Sequence, residues 1–535
     1  MPLARTTLNL SPEVLNPYFC AMPRKKKKNT ILEKILIEDF AAEGKSLARW
    51  EGKVVFVERT VPGDVVDVFL YKNKKDWAEG YPLTFHHLSP ERVVPFCEHF
   101  GDCGGCQWQM VAYEHQLKFK QQQVKDALQR IGKIPLPEFL PIIGAKDDRY
   151  YRNKLEYTFG TMKYIPEAEY HKAPLELRSF PSLSSGTPEG GTLDSLKMER
   201  LFELEDSKAP PCEGLGEAGG AVGFHAKGLF DKVVDINRCH LQSEPSNGIR
   251  ETIREYAYAN HLSFYDVRRH TGYLRNIQIR ICTTGEVMVN VIVGEDDIEK
   301  TGKLLQYLQE KIPSITTLVY TVNTKWNDSI NDLEPVTYSG KGYVIEKLED
   351  FQFKIGPKSF FQTNTQQGEQ LYKVARDFAE LAGKEIVYDL YCGTGSIGIF
   401  VSKKAKKIIG VEMIEEAIQD AKENAAMNNL SAAEFITGNV IDICNDEFFE
   451  THGRPDVIIT DPPRMGMHPK LVNKLLEIAA PTIVYVSCNP ATQGRDLNLL
   501  GEKYEVTKVQ PVDMFPHTHH MENVVQLKLR KNTMN

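Results

Sequence analysis

The last third of the chain constrains the fold most, through its rhythm. Short apolar, β-branched runs, IVYDLY from residue 386, KIIGVEM from 407, DVIITDPP from 456 and TIVYVSC from 482, alternate with helical stretches such as 413–429 and 469–479. Strands separated by helices pair in parallel and bury both faces under those helices, so the pattern predicts a doubly wound α/β sheet. Ligands of such sheets sit beyond the carboxyl ends of the strands. The residues that follow each strand are therefore where chemistry is sought first.

Strand 386–391 runs into Cys392-Gly393-Thr394-Gly395-Ser396, where glycines let the backbone approach a ligand closely. The next strand ends in Glu412, about 20 residues after the glycine loop, where a carboxylate accepts hydrogen bonds from two ribose hydroxyls. An adenosine-containing cofactor suits this pair. The spacing is only G-x-G, without the third glycine of the dinucleotide fingerprint, which favours S-adenosylmethionine over NAD; a plain strand-to-helix turn is the competing reading.

Strand 456–460 ends in Asp461-Pro462-Pro463-Arg464, a carboxylate on a stiff corner. Enzymes that methylate exocyclic amines place an aromatic after such prolines, and Arg464 stands there instead. Strand 482–487 delivers Cys488, followed by Asn489-Pro490. This thiol is a candidate nucleophile, against the alternative of a buried structural cysteine; near neutral pH only a few per cent of a free thiol is thiolate unless a cation or helix terminus helps. Glu522 lies in a polar loop before the last apolar run, NVVQLKL, and reads either as a general base or as a solvated carboxylate.

Upstream, four short β-type runs between residues 31 and 88, with turn signals such as Val61-Pro62-Gly63-Asp64, predict a small barrel that either binds oligonucleotides or packs against its neighbours. Residues 111–131 read as an amphipathic helix, and 150–160 and 273–294 as strands. The expected division is a basic, disordered segment 1–28 with a second possible start at Met22, a barrel 29–90, a central domain 91–345 and a catalytic domain 346–535. A Gly- and Ser-rich insertion, 165–222, carries eleven acidic and five basic side chains and so supplies most of the net charge of −7. The remainder is nearly neutral, with a basic run from Arg24 to Lys28, and RNA stays open as a partner. No run of about 18 uncharged apolar residues occurs and the polar N-terminus does not read as a signal peptide, so the expected compartment is the cytoplasm.

Ten cysteines are too sparse over this length for a disulfide framework. Cys97, Cys103 and Cys106 have C-x5-C-x2-C spacing around Gly104-Gly105, which points to a metal site that needs a fourth ligand; spacing alone leaves zinc and iron–sulfur both open.

Five ordered segments together resemble the RNA uracil-5 methyltransferases, in particular the iron–sulfur 23S rRNA branch with an N-terminal TRAM barrel. They are Phe360-Phe361-Gln362-Thr363-Asn364, Asp389 to Gly395, Asp461-Pro462-Pro463-Arg464, Ser487-Cys488-Asn489-Pro490 and Phe515 to Glu522. The resemblance extends over roughly residues 30–530 apart from the insertion. It implies Cys488 as the nucleophile that adds to carbon 6 of uracil and Glu522 as the base that removes the carbon-5 proton. It places S-adenosylmethionine contacts on Gln362, Tyr391, Ser396, Glu412, Asn439 and Asp461, where Ser396 replaces the asparagine of some members. It makes Cys239 the fourth ligand, with Cys97, Cys103 and Cys106, of a structural 4Fe-4S cluster. Phe360 and Phe361 read as walls for an extruded base or as core, and Tyr151-Arg152-Asn153-Lys154 as a phosphate contact or a solvated strand end. The implied substrate is 23S rRNA, bound by a monomer with no DNA or membrane partner. A tRNA substrate, a cytosine-5 methyltransferase and a non-catalytic RNA-binding or assembly factor are the alternatives.

Overall fold

The computed structural model describes residues 30–135, 137–166 and 220–531. The expected basic segment 1–28, nearly all of the acidic insertion, and Cys20 and Cys212 lie outside the described residues. Three larger sheets and one hairpin carry the architecture.

The first sheet orders its strands Thr30–Leu36, Val65–Asn73, Trp77–His87, Lys53–Val57, Ser46–Trp50 and Asp39–Phe40. Alternate residues of these strands, among them Ala48, Val55, Val57, Val66 and Val68, fill its own small core, as a period of two requires. Its turn at Asp64 is pinned by that buried carboxylate, which accepts from the Val61 and Ser89 amides at 2.7 and 2.9 Å and from Arg92 at 2.6 and 2.8 Å.

The second sheet has seven strands, ordered Val233–Asp235, Ala221–His225, Lys154–Gly160, Leu274–Ile281, Val287–Val293, Thr317–Val322 and Val336–Ser339. Its strand Val287–Val293 is buried along its whole length, and Ser246–Ala259 and Ile298–Lys311 contribute Ile249, Ile253, Leu304, Leu305 and Leu308 to the same core.

The third large sheet is the predicted doubly wound one. Five parallel strands run Ala433–Thr437, Lys407–Glu412, Ile386–Leu390, Val457–Thr460 and Thr482–Ser487. Next comes Glu522–Leu529, antiparallel, inserted between Thr482–Ser487 and its own partner Tyr504–Val512. No helix separates these last two strands, so they form a hairpin across loop 513–521, and the parallel rhythm ends there. The strand Glu138–Phe139 from the first third of the chain adds to the far edge. The predicted helix at 111–131 forms as an α-helix, Tyr113–Asp126, closing in a π-turn, Ala127–Ile131; its Val124 and Leu128 are fully buried in the same core as Tyr485 and Leu497. Among the described residues, no helix is long and apolar enough to cross a membrane.

Candidate active site

The first parallel strand ends in a tight left-handed turn. Tyr391, Gly393 and Gly395 have φ of 61°, 51° and 76°, so a non-glycine residue holds a conformation that costs backbone energy. Just before it, buried Asp389 accepts the Gly398 amide at 2.8 Å, which ties the strand to the helix Ser396–Val401. Burial, with the charges of Asp461 and Glu412 nearby, pushes the Asp389 carboxyl up to about 7. Glu412 ends the neighbouring strand; it accepts from the Met413 and Ile414 amides at 2.7 and 3.1 Å and, at 3.4 Å, from Gly393 of the turn. Those bonds fix its orientation beside the glycine loop, with the Met413 and Ile414 side chains exposed alongside.

The remaining predicted cofactor residues gather around this turn. Asn439 caps the short helix Val440–Ile443, accepting from Ile441 at 3.1 Å, and Gly438 before it donates to the Glu412 carbonyl at 2.8 Å. Ser396 Oγ lies 2.9 Å from the Tyr372 hydroxyl. Gln362 is buried, with its carbonyl accepting from Asn153 Nδ2 at 2.9 Å, while Thr394 of the loop reaches the Phe360 carbonyl at 3.5 Å. Of the two phenylalanines, Phe361 is core against Phe353 and Phe360 is 70% exposed.

Strand register brings Cys488 and Glu522 together. Ser487 pairs with Asn523, so one step further along the antiparallel ladder Cys488 stands across from Glu522. Asn489 and Pro490 then start the helix Pro490–Leu500, with Asn489 capping Ala491 at 3.1 Å. The helix N-terminus favours a thiolate. Burial, followed by the charges of Glu522 and Asp461, outweighs it and pushes the Cys488 thiol up to about 11, with Arg464 opposing. Burial and Asp461 hold Glu522 well above the usual carboxylate range, and burial takes Asp461 to about 7. Glu522 Oε2, Asp389 Oδ1 and Thr460 Oγ1 are buried without a hydrogen-bond partner. This crevice is electronegative and unsatisfied, which fits a ligand carrying positive charge and hydroxyl donors.

Residues 340–530 match the family described as tRNA (Uracil-5-)-methyltransferase. Over 493 residues the chain is 48% identical to an RNA methyltransferase of Bacteroides thetaiotaomicron, covering 92% of this chain and 100% of that one. A Porphyromonas gingivalis RNA methyltransferase is 44% identical, with 92% and 98% covered. The chain belongs to the RNA uracil-5 methyltransferase family. Among solved structures, the tRNA (uracil-54, C5)-methyltransferase of Pyrococcus abyssi, in complex with S-adenosyl-L-homocysteine, superposes with a TM-score of 0.65 at 25% identity, covering 92% of this chain and 99% of that one. In this methyltransferase the orphaned polar atoms and buried carboxylates at the strand ends suit a cationic ligand.

Cys97, Cys103, Cys106 and Cys239 of the methyltransferase line one pocket together with His99, Gln109 and Arg238. Burial raises all four thiols, Cys106 to about 12, and repulsion among the sulfurs adds to it for Cys97, Cys103 and Cys106. The Gly105 amide donates to Cys103 Sγ at 3.4 Å, and Gly104 donates to the His225 carbonyl at 3.1 Å, which holds the loop against the second sheet. Among the described residues, no three His, Cys, Asp or Glu side chains form a ready metal-binding group.

The sequence reading overlooked the supports of this site. Tyr372, on the helix Thr365–Ala379, reaches Ser396 from a face indistinguishable in sequence from any other apolar one. Loop 513–521 is held from the other end of the chain: Gln107 and Trp108 donate to the His517 carbonyl at 2.9 and 3.0 Å, Tyr151 donates to the Pro516 carbonyl at 3.0 Å, and buried Lys120 pairs with buried Asp513 at 2.6 Å. An amphipathic helix carrying a lysine on the same face as Val124 was the available signal.

Proposed function

We propose that this methyltransferase modifies carbon 5 of a uridine in 23S rRNA, with Cys488 as nucleophile and Glu522 as base. The observation that carries the reading is the ladder register that sets Cys488 across from Glu522, beside Asp461, at the rim where Glu412 and the glycine turn lie. Carbon 5 of uracil is a poor nucleophile until a group adds to carbon 6. Cys488 Sγ, as thiolate, forms that bond and turns the ring into an enolate with its electron pair at carbon 5. S-adenosylmethionine, held by Gln362, Tyr391, Ser396, Glu412, Asn439 and Asp461, supplies the methyl group. Glu522 then takes the proton from carbon 5, the ring double bond re-forms and the thiolate leaves. A carboxylate desolvated in this way is a stronger base than one in water, which suits removal of a carbon-bound proton. Arg464 Nη2, 2.9 Å from His520 Nδ1, closes the crevice with a cation that supports the thiolate.

On the same reading, the first sheet is a TRAM barrel for RNA, the four cysteines hold a structural 4Fe-4S cluster, and the protein acts as a monomer in the cytoplasm. A single zinc ion would draw four sulfurs to about 2.3 Å from one point. The four thiols line one pocket, and the choice of a cluster over zinc rests on the family resemblance. Protein purified without oxygen is expected to contain about four irons per chain, bound through four thiolates; zinc in their place would contradict the assignment. The Pyrococcus abyssi neighbour's name favours a second reading, a tRNA substrate. Mapping 5-methyluridine in rRNA and tRNA from cells lacking the gene decides between them: loss from 23S rRNA supports the proposal, and loss from tRNA alone replaces it.

A further inference from the structure

We infer that the second sheet carries a separate nucleotide site, in which Trp326 stacks an unpaired base of the RNA and an adjoining polar pocket reads that base's edge. This rests on the RNA reading above and adds a contact away from the reacting uridine.

The site is built around one arginine. Arg275 is 1% exposed, and its guanidinium donates to the carbonyls of Asn323, Lys325 and Asn327 at 2.7, 2.7 and 3.1 Å and to Asp328 at 2.7 Å, while lying 3.9 Å from the centre of the Tyr265 ring. Three carbonyls gathered on one cation fix loop 323–328 in a single shape. That shape presents Trp326 outward, 79% exposed, with its ring stacked on His270 at 4.9 Å and only 4° from parallel. Fixing an indole in water hides little apolar surface, so its packing does not explain it. A rigid, flat face backed by a second ring is what an unpaired base stacks upon.

The adjoining pocket is lined by Phe159, His225, Asp231, Tyr265, Arg275 and Asp328, among others. Arg275 Nε and His225 Nδ1 are both buried without a partner. Both residues line that pocket, where a base edge or sugar oxygen would supply the missing acceptor or donor. Arg268 donates through Nε to the pocket residue Asp231 at 2.7 Å and lies 5.8 Å from the ring of Phe230, itself 68% exposed, while Arg269 beside it is an exposed cation open to a phosphate. Orphaned polar atoms beside stacked rings and arginines favour a nucleotide over an apolar protein segment.

Position agrees with use during catalysis. The same loop continues to Glu334, which pairs at 3.1 Å with Lys358, two residues before exposed Phe360 at the glycine turn.

Intrinsic fluorescence tests this in a Trp50→Phe/Trp77→Phe background, which removes the two half-buried indoles of the first sheet and leaves fully buried Trp108 and open Trp326. The full-length protein is titrated at low salt with a single-stranded oligoadenylate of about twelve nucleotides. We expect quenching of the tryptophan signal, loss of most of that quenching in Trp326→Phe with affinity kept, and about tenfold weaker binding in Trp326→Ala. The quench persisting in Cys488→Ala would support the platform independently of the catalytic reading. Undiminished quenching in Trp326→Phe, unchanged affinity in Trp326→Ala, or equal competition by a duplex of the same length would each overturn it.

Discussion

At the residue scale, the crevice is defined by carboxylates held where water cannot reach them well. Asp389 and Asp461 both rise to about 7, and Glu522 rises with them, because burial penalises their charged forms and each ionised neighbour adds repulsion. Their folded values lie above the ordinary 3.8, so the stability they lend is full below that pH and is lost as pH rises from about 4 to about 7. A cation in the crevice reverses this loss. Saturating S-adenosylmethionine, which carries a sulfonium, is therefore expected to raise the melting temperature at pH 8 by more than neutral S-adenosylhomocysteine does, with the gap closing near pH 5. A gap that does not change between the two pH values would show that these carboxylates do not face the sulfonium. Cys488 was legible in sequence as a strand-end residue and Glu522 as a carboxylate of the polar loop before the last strand, which the structure makes that strand's first residue; Asp389 was quoted in its motif without a role, since nothing in sequence reports burial of one particular carboxylate.

Elements rather than residues explain how Glu522 is held still. Loop 513–521 carries three histidines, His517, His519 and His520, yet makes most of its bonds outside its own hairpin, among them those to the loop after Cys106 and to the helix Tyr113–Asp126. Lys120 and Asp513 are fully buried, 2.6 Å apart, and Asp513 also accepts the Tyr113 hydroxyl at 2.8 Å. Removing one partner of such a pair strands the other charge in the core. Lys120→Met is expected to cost about 3–5 kcal/mol in urea unfolding and to lower the methylation rate, with Asp513→Asn in the same chain recovering part of the stability. A loss under about 1 kcal/mol would mean that the pair is wetter than its geometry implies. Sequence periodicity placed this helix well but not its partner, because the contact joins residues 393 positions apart.

For the whole molecule, the α/β rhythm of residues 386–487 was readable because each strand buries both faces and each connection is a helix. The antiparallel insertion of Glu522–Leu529 was not readable, although it creates the site: a parallel last strand would have carried Glu522 to the opposite end of the sheet from Cys488. Nor was the edge strand Glu138–Phe139, only two residues long, distinguishable from loop. The first third of the chain thus adds the edge strand of the third sheet, and its cysteine loop braces loop 513–521, which leads into Glu522. The account stands on covalent addition by Cys488, and trapping of the adduct tests it most directly. Glu522→Gln, incubated with S-adenosylmethionine and a 23S rRNA fragment containing the target uridine, should accumulate a protein–RNA species stable on a denaturing gel, and Cys488→Ala should form none and transfer no methyl. Methyl transfer by Cys488→Ala would contradict the account.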